Sequence, residues 1–226
     1  MAQPNGRTAG SAPDQAVWVL SVGLYSYVVA RDYGFAPNPF FGVCTLATCK
    51  PNIRKAATVG DWVMGTGSKQ HNREKHVVFA MRVTCAMTFE GYWSHPNFQT
   101  KKVNLRGSKK QAFGDNIYSR DGASGDWCQA NSHHSFHDGS PNPLNVTADT
   151  GTNRILLSDD FVYWGGSGPE LPNQFLCYGP YHESVCAGRG QRNNFPAQIV
   201  EGLIAWIRSL NESGYCGEPL DWRRTP

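Results

Sequence analysis

Three histidines and an acid crowd the stretch Asn131-Ser132-His133-His134-Ser135-Phe136-His137-Asp138-Gly139. Imidazoles titrate near neutrality and ligate metals, so His133, His134, His137 and Asp138 could supply an acid and a base. The same stretch also reads as a solvated loop that merely contains histidines. Its Ser, Gly and Pro content does not fit the helical His-Asp signature of metal phosphohydrolases. Asp149 and Arg154 follow it in the chain and could fold back onto it.

Two further groupings carry chemistry. In Gly114-Asp115-Asn116-Ile117-Tyr118, Asp115 could orient a ribose or a ring N–H, or act as a general base. Asp115 and Asn116 also fit a plain Asx turn. Around Ala36-Pro37-Asn38-Pro39 lie Asn38, Cys44, Thr45, Cys49 and Lys50. Asn38 presents a donor and an acceptor together, which suits a base edge, or it caps the proline turn. Lys50 and Arg54 could meet a phosphate or stay solvated. Cys44 and Cys49 stand five apart with no second pair at a similar spacing, so no structural zinc is expected. They read as small buried residues, with a nucleophilic role for either as the alternative. No phosphate-binding Gly-Lys-Ser/Thr loop, Gly-x-Ser-x-Gly elbow or dinucleotide fingerprint appears, which sets aside P-loop, α/β-hydrolase and Rossmann readings. No cofactor is implied.

The elements that must position these groups follow from composition and period. Apolar residues are 40% of the chain and charged residues 17%, with 24 Gly and 14 Pro marking turns. That is the composition of one folded domain over 16–226, preceded by a Gly- and Pro-rich tail over 1–15 expected to be disordered. Net charge is only +3, too mild for a long grip on a nucleic-acid backbone; Lys101, Lys102, Arg106, Lys109 and Lys110 form the one basic cluster. Seven cysteines, an odd count, suit reduced thiols and a cytoplasmic setting. The Met-Ala-Gln-Pro start lacks a signal-peptide pattern, and Val17–Ala30 is too short and polar for a membrane span.

Trp18–Arg31 reads as one or two strands, and Pro51–Ala57 as a short helix opened by proline. Val59-Gly60-Asp61-Trp62-Val63-Met64-Gly65 and His76–Thr84 make a hairpin across a polar loop. Met87–Trp93 reads as a short helix, Gly114–Asn153 as one long polar loop, and Arg154–Trp164 as strand. Ile199, Val200, Leu203, Ile204, Ile207 and Leu210 share one face of a final helix that begins near Pro196 and is expected to end at Gly214. The fold class is α+β: a strand-rich PUA-like barrel or curled mixed sheet, with short helices, long polar loops and a C-terminal amphipathic helix.

Phe35-Ala36-Pro37-Asn38-Pro39-Phe40, Gly42, Cys44-Thr45-Leu46, Cys49-Lys50-Pro51, Ile53-Arg54, Gly60-Asp61-Trp62, Ala80-Met81-Arg82-Val83-Thr84 and Gly114-Asp115-Asn116-Ile117-Tyr118 follow one another in this order along the chain. The set resembles the second of the nucleotide-modification-associated domain families, small bacterial and phage domains linked to DNA base modification and restriction. The Gly-Asp hairpin also resembles, more weakly, PUA-like and EVE-like barrels that hold a base in an aromatic-lined pocket. The resemblance implies a nucleotide, nucleoside or modified DNA base as ligand, in a DNA-modification or phage-defence setting, with only weak contact to nucleic acid and no membrane. It adds Phe40, Asp61, Asn116 and Tyr118 to the ligand-binding candidates, beside Arg154 after the histidine loop and the stacking candidates Trp93 and Trp127.

Three readings stand. A base reader would use Asn38, Asp115 and stacked aromatics. An enzyme would use the histidine loop with Asp115 or Asp138 as acid and base. A protein-interaction scaffold would use neither. The first two predict that Asn38, Cys44, Asp115 and a histidine converge on one cavity.

Overall fold

The computed structural model describes residues 22–188 and 190–224. The expected tail and the first residues of the Trp18–Arg31 strand lie outside the described residues.

The chain enters on β1 (Leu24–Val28), then crosses the Pro37/Pro39 segment into β2 (Cys44–Leu46). Each proline fixes φ and removes a donor, so this segment stays extended; Asn38 and Thr45 pair as an isolated bridge. Helix α1 (Pro51–Ala56) starts with proline in its first turn, where the missing N–H costs nothing. The hairpin β3 (Trp62–Thr66) and β4 (Val77–Arg82) forms as the sequence implies. Its entry turn is pinned by Asp61, whose carboxylate accepts from the Thr58 and Gly23 N–H groups, both at 2.8 Å.

After β5 (Cys85–Met87), Thr88 caps α2 (Phe89–Ser94) by accepting from the Gly91 N–H, and a Ser108/Gln111 capping box opens α3 (Lys109–Ala112). The expected polar loop over 114–153 is instead interrupted by β6 (Tyr118–Arg120), β7 (Trp127–Gln129) and α4 (Pro143–Thr150). The strands are too short to show a period. Asn142-Pro143 is nonetheless an N-cap followed by a first-turn proline, and the Asn142 side chain accepts from the N–H groups of Leu144 and Asn145.

The run over 154–164 splits into β8 (Ile155–Ser158) and β9 (Asp160–Tyr163), bent where the Ser158 hydroxyl binds the Asp160 backbone. Then come α5 (Asn173–Leu176), β10 (Gln191–Arg192), α6 (Ala197–Ser209) and β11 (Gly214–Tyr215). Helix α6 ends before Gly214: Leu210 caps it, and Asn211 takes a positive φ of 52° in place of a glycine.

Six strands form a mixed sheet in the order β10-β1-β3-β4-β9-β11, with β1/β3 and β9/β11 parallel. An antiparallel sheet β2-β8-β5 packs against it, and β6-β7 forms a hairpin. No closed barrel forms among the described residues, so the fold is the mixed-sheet alternative, not the PUA-like one. One face of the large sheet (Tyr27, Val63, Phe79, Met81) packs on Leu46, Ile53 and Leu156. The other face (Leu24, Trp62, Met64, Ala80, Val162) is covered by Val200, Leu203 and Ile207 of α6. Successive residues of β8 point to opposite faces. Leu156 therefore faces the large sheet, while Ile155 and Leu157 join a third cluster with Phe35, Phe89, Tyr92 and Tyr118. The parallel β1/β3 pair needs a crossover, and that crossover carries β2, Cys49 and α1 along the edge of both sheets.

Candidate active site

Cys49 and Lys50 are consecutive residues in the left-handed region, at φ 57° and 42°. Side chains other than glycine hold that conformation only when the surroundings impose it, at about 1–3 kcal/mol each. Here both backbone polar groups of Cys49 are gripped. Its N–H donates to Asp149 Oδ1 at 2.7 Å, and its carbonyl accepts from Arg54 Nε at 2.9 Å. Arg54 is fully buried and gives three of its four remaining N–H donors to the carbonyls of Thr152 (2.9 Å), Arg154 (2.6 Å) and Asp149. One guanidinium on α1 therefore ties the Cys49 turn to the end of α4.

The histidine segment is fastened from the other side. The His134 carbonyl accepts from the Asn145 side chain at 2.8 Å and from Gln129 at 3.4 Å. The Gln129 oxygen in turn accepts from the Asn142 N–H at 2.8 Å. These bonds set His134 against Asp149, with Nδ1 to Oδ2 at 2.7 Å, while Nε2 faces Cys49 Sγ at 3.5 Å. Tyr118 donates its hydroxyl to the same Asp149 oxygen at 2.8 Å. A thiol, an imidazole and a carboxylate thus stand in line, an arrangement that can activate a thiol for covalent catalysis.

Burial by itself would lower the His134 pKa. Its hydrogen bonds to Asp149 and Cys49, and the charges behind them, outweigh that and raise it to about 9. The three ligand-type atoms lie within 4.8 Å of one another, so the cluster could also hold a divalent metal. The hydrogen bonds favour the triad, because Asp149 is committed to His134 Nδ1, the Tyr118 hydroxyl and the Cys49 N–H.

Cys49 and His134 open on a cavity of about 460 Å³, walled by Tyr27, Tyr33, Phe35 and His133, with Arg31, Lys50 and Asn145 on its lining. His133 packs at 4.6 Å from the Tyr33 ring and 5.4 Å from Phe35. That packing lowers its pKa, as do the nearby charges of His134 and Arg31. His133 is exposed, and at pH 7 its imidazole is neutral.

Of the sequence candidates, His133, His134 and Lys50 meet in this cavity, while Arg54 and Tyr118 hold its parts from behind. The expected convergence with Asn38, Cys44 and Asp115 does not occur. Those three are wholly buried. The Asp115 carboxylate accepts from Thr45 at 2.5 Å and Tyr92 at 2.8 Å, and Lys101 Nζ donates to Asn38 Oδ1 at 2.8 Å and Thr45 Oγ1 at 3.2 Å. Asn116 donates to the carbonyls of Tyr92 and Phe98 at 3.0 and 3.2 Å. These groups satisfy one another inside the protein, as buried polar groups must. Cys44 belongs to the core between the sheets, where burial pushes its thiol up to about 12.

Phe40 stacks on Trp222 at 5.5 Å, and Arg154 donates to the Ala57 carbonyl at 2.8 Å. Trp93 and Trp127 lie under Lys102 and Arg120 at 3.8 and 3.7 Å, away from the cavity. His137 and Asp138 are exposed, and Asp138 caps its own turn through Ser140.

Sequence reasoning placed Cys49 among buried cysteines, and Asp149 only as a residue that could fold back. A cysteine with a histidine and an acid far away in sequence is the pattern of a thiol nucleophile. With seven cysteines, that pattern does not say which one. Arg31 and Tyr33 carried no signal beyond lying in the loop after β1, and Phe35 only opened the Pro-Asn-Pro motif of the family resemblance.

The family model of nucleotide modification associated domain 2 matches residues 22–226. The chain belongs to that family. No curated protein and no solved structure gives a significant match. In this member of nucleotide modification associated domain 2, the matched span contains both sheets, the Cys49–His134–Asp149 line and all of the cavity lining. The family name ties the chain to nucleotide modification. Among the described residues, no helix is long and apolar enough to cross a membrane.

Proposed function

We propose that this chain is an enzyme that acts on a nucleotide or nucleobase through a cysteine nucleophile, with Cys49 attacking, His134 moving the proton and Asp149 holding His134. The observation that carries the reading is the continuous line from Cys49 Sγ to His134 Nε2 (3.5 Å) and from Nδ1 to Asp149 Oδ2 (2.7 Å) at the wall of an aromatic cavity. It favours the enzyme over the base reader, for which a triad would be superfluous, and over the scaffold.

The chemistry that fits is acyl transfer on a substituent of the nucleotide. Nε2 of the protonated His134 carries the proton that Cys49 gives up, so the sulfur attacks the acyl carbon as a thiolate. His134 then delivers that proton to the departing amine or alcohol, leaving a thioester on Cys49. Water or a second nucleophile, deprotonated by His134, attacks the thioester and frees the thiol. Tyr33 and His133, which keep solvent exposure, supply faces on which a base can stack.

The test is peptide-resolved alkylation with iodoacetamide, with and without prior chelation. Cys49 should react at least about tenfold faster than the exposed Cys85 and Cys128, and His134→Ala should remove that advantage. If Cys49 reacts no faster than the exposed cysteines in wild type, the nucleophile assignment fails. If its reactivity appears only after chelation and stoichiometric zinc is released, the cluster is a metal site instead.

A further inference from the structure

We infer that the cavity carries an anion subsite, formed by Lys50 and Arg31, that takes the phosphate of a free nucleoside monophosphate while its base lies against the aromatic wall. The inference deepens the proposed function and rests on it for the nucleotide; the charge argument stands on the cavity alone.

No aspartate or glutamate lines the cavity, although Arg31 and Lys50 both do. Among the described residues, neither makes an ion pair or a side-chain hydrogen bond; the Lys50 ammonium sits 4.6 Å over the Tyr27 ring. Lys50 is half-buried, and burial lowers its pKa. An ammonium taken partly out of water without a counter-charge is costly unless something anionic arrives. The left-handed turn at Cys49-Lys50 sets this cation beside the sulfur. His134, also charged at neutral pH, adds to the positive field.

Two cations facing an acid-free cavity suit a phosphomonoester, which is close to dianionic at pH 7, better than a phosphodiester with one charge. The aromatic faces of Tyr33 and His133 complete the complement to a nucleotide. A cavity of about 460 Å³ is in the range of single small-molecule sites.

The experiment measures protection of Cys49 from iodoacetamide by the four deoxynucleoside 5′-monophosphates, the matching nucleosides, orthophosphate and a short single-stranded oligonucleotide. Each protein is normalised to its own unliganded rate. At least one monophosphate should protect at a concentration about tenfold below that needed for its nucleoside. Arg31→Met and Lys50→Gln should each raise the half-protecting concentration about tenfold and flatten its salt dependence. Arg31 is exposed, so its variant tests the subsite even if Lys50→Gln perturbs the turn.

Equal protection by nucleoside and monophosphate, or no change in either variant, would overturn the subsite. Tighter protection by the oligonucleotide would overturn the free-nucleotide assignment. The unliganded reactivity of Cys49 and its dependence on His134 report on the triad separately. A Cys49 that reacts no faster than the exposed cysteines, yet is still shielded by monophosphates, would therefore sink the enzyme and leave the subsite standing.

Discussion

Raising the pH should remove stability that the wild type owes to His134. Its imidazole titrates at 6.5 when unperturbed and at about 9 in the fold. The folded pKa is the higher one, so the contribution is fully present below pH 6.5 and disappears as pH rises through about 9. At about 1.36 kcal/mol per unit, the displacement corresponds to roughly 3 kcal/mol. The side chain is 15% exposed, so solvent screening trims this to an expected loss of about 1–3 kcal/mol.

The assay is urea unfolding at about pH 6 and about pH 9.5 on wild type and His134→Gln. The variant is needed because Lys101 acts in the opposite direction. Burial lowers its pKa from 10.5 to about 8, so its contribution to stability grows as pH rises between those values. Wild type should lose about 1–3 kcal/mol more than His134→Gln over this range, and Asp149→Asn should behave like the histidine variant. Equal losses in wild type and His134→Gln would mean that the imidazole is not held charged by Asp149 and Cys49, and the reasoning behind the triad would fail.

Arg54→Met strands the carbonyls of Cys49, Asp149, Thr152 and Arg154 and should cost about 4 kcal/mol in urea unfolding. Arg54→Lys should regain part of that, but without the planar fork it should not restore His134-dependent alkylation of Cys49. Normal alkylation in a folded Arg54→Lys protein would show that the guanidinium is not what positions the thiol. Asp115→Asn leaves Lys101 buried without its counter-charge and should cost about 3–5 kcal/mol while sparing Cys49 reactivity. A stable Asp115→Asn protein that loses nucleotide protection would return Asp115 to the binding site.

Much of the scaffold is readable along the chain because its signals are local. The Gly60-Asp61 entry turn and the apolar runs on either side of the polar loop that follows specify the β3–β4 hairpin, and Pro51 specifies the start of α1. The three- and four-residue spacing from Ile199 to Ile207 specifies the buried face of α6. Local signals failed where elements are brief: β6 and β7 have three residues each, fewer than a period needs to declare itself.

The site was half readable. Residue type alone singled out His133, His134 and Lys50, and each lines the cavity. Polar residues in Pro- and Gly-rich loops look the same whether they face a ligand or one another. Asn38 and Asp115 turn inward because Lys101, Thr45 and Tyr92 arrive from distant segments to satisfy them. Which of seven cysteines stands beside a histidine and an acid was likewise a tertiary matter, since Cys49 and Asp149 lie a hundred residues apart in the chain. They meet because the β1–β3 crossover runs past the end of α4 and the buried Arg54 ties the two backbones together. Hydrogen bonds between remote segments leave no period or composition in a sequence, so chain order supplied the chemical groups and only packing could decide which of them share a cavity.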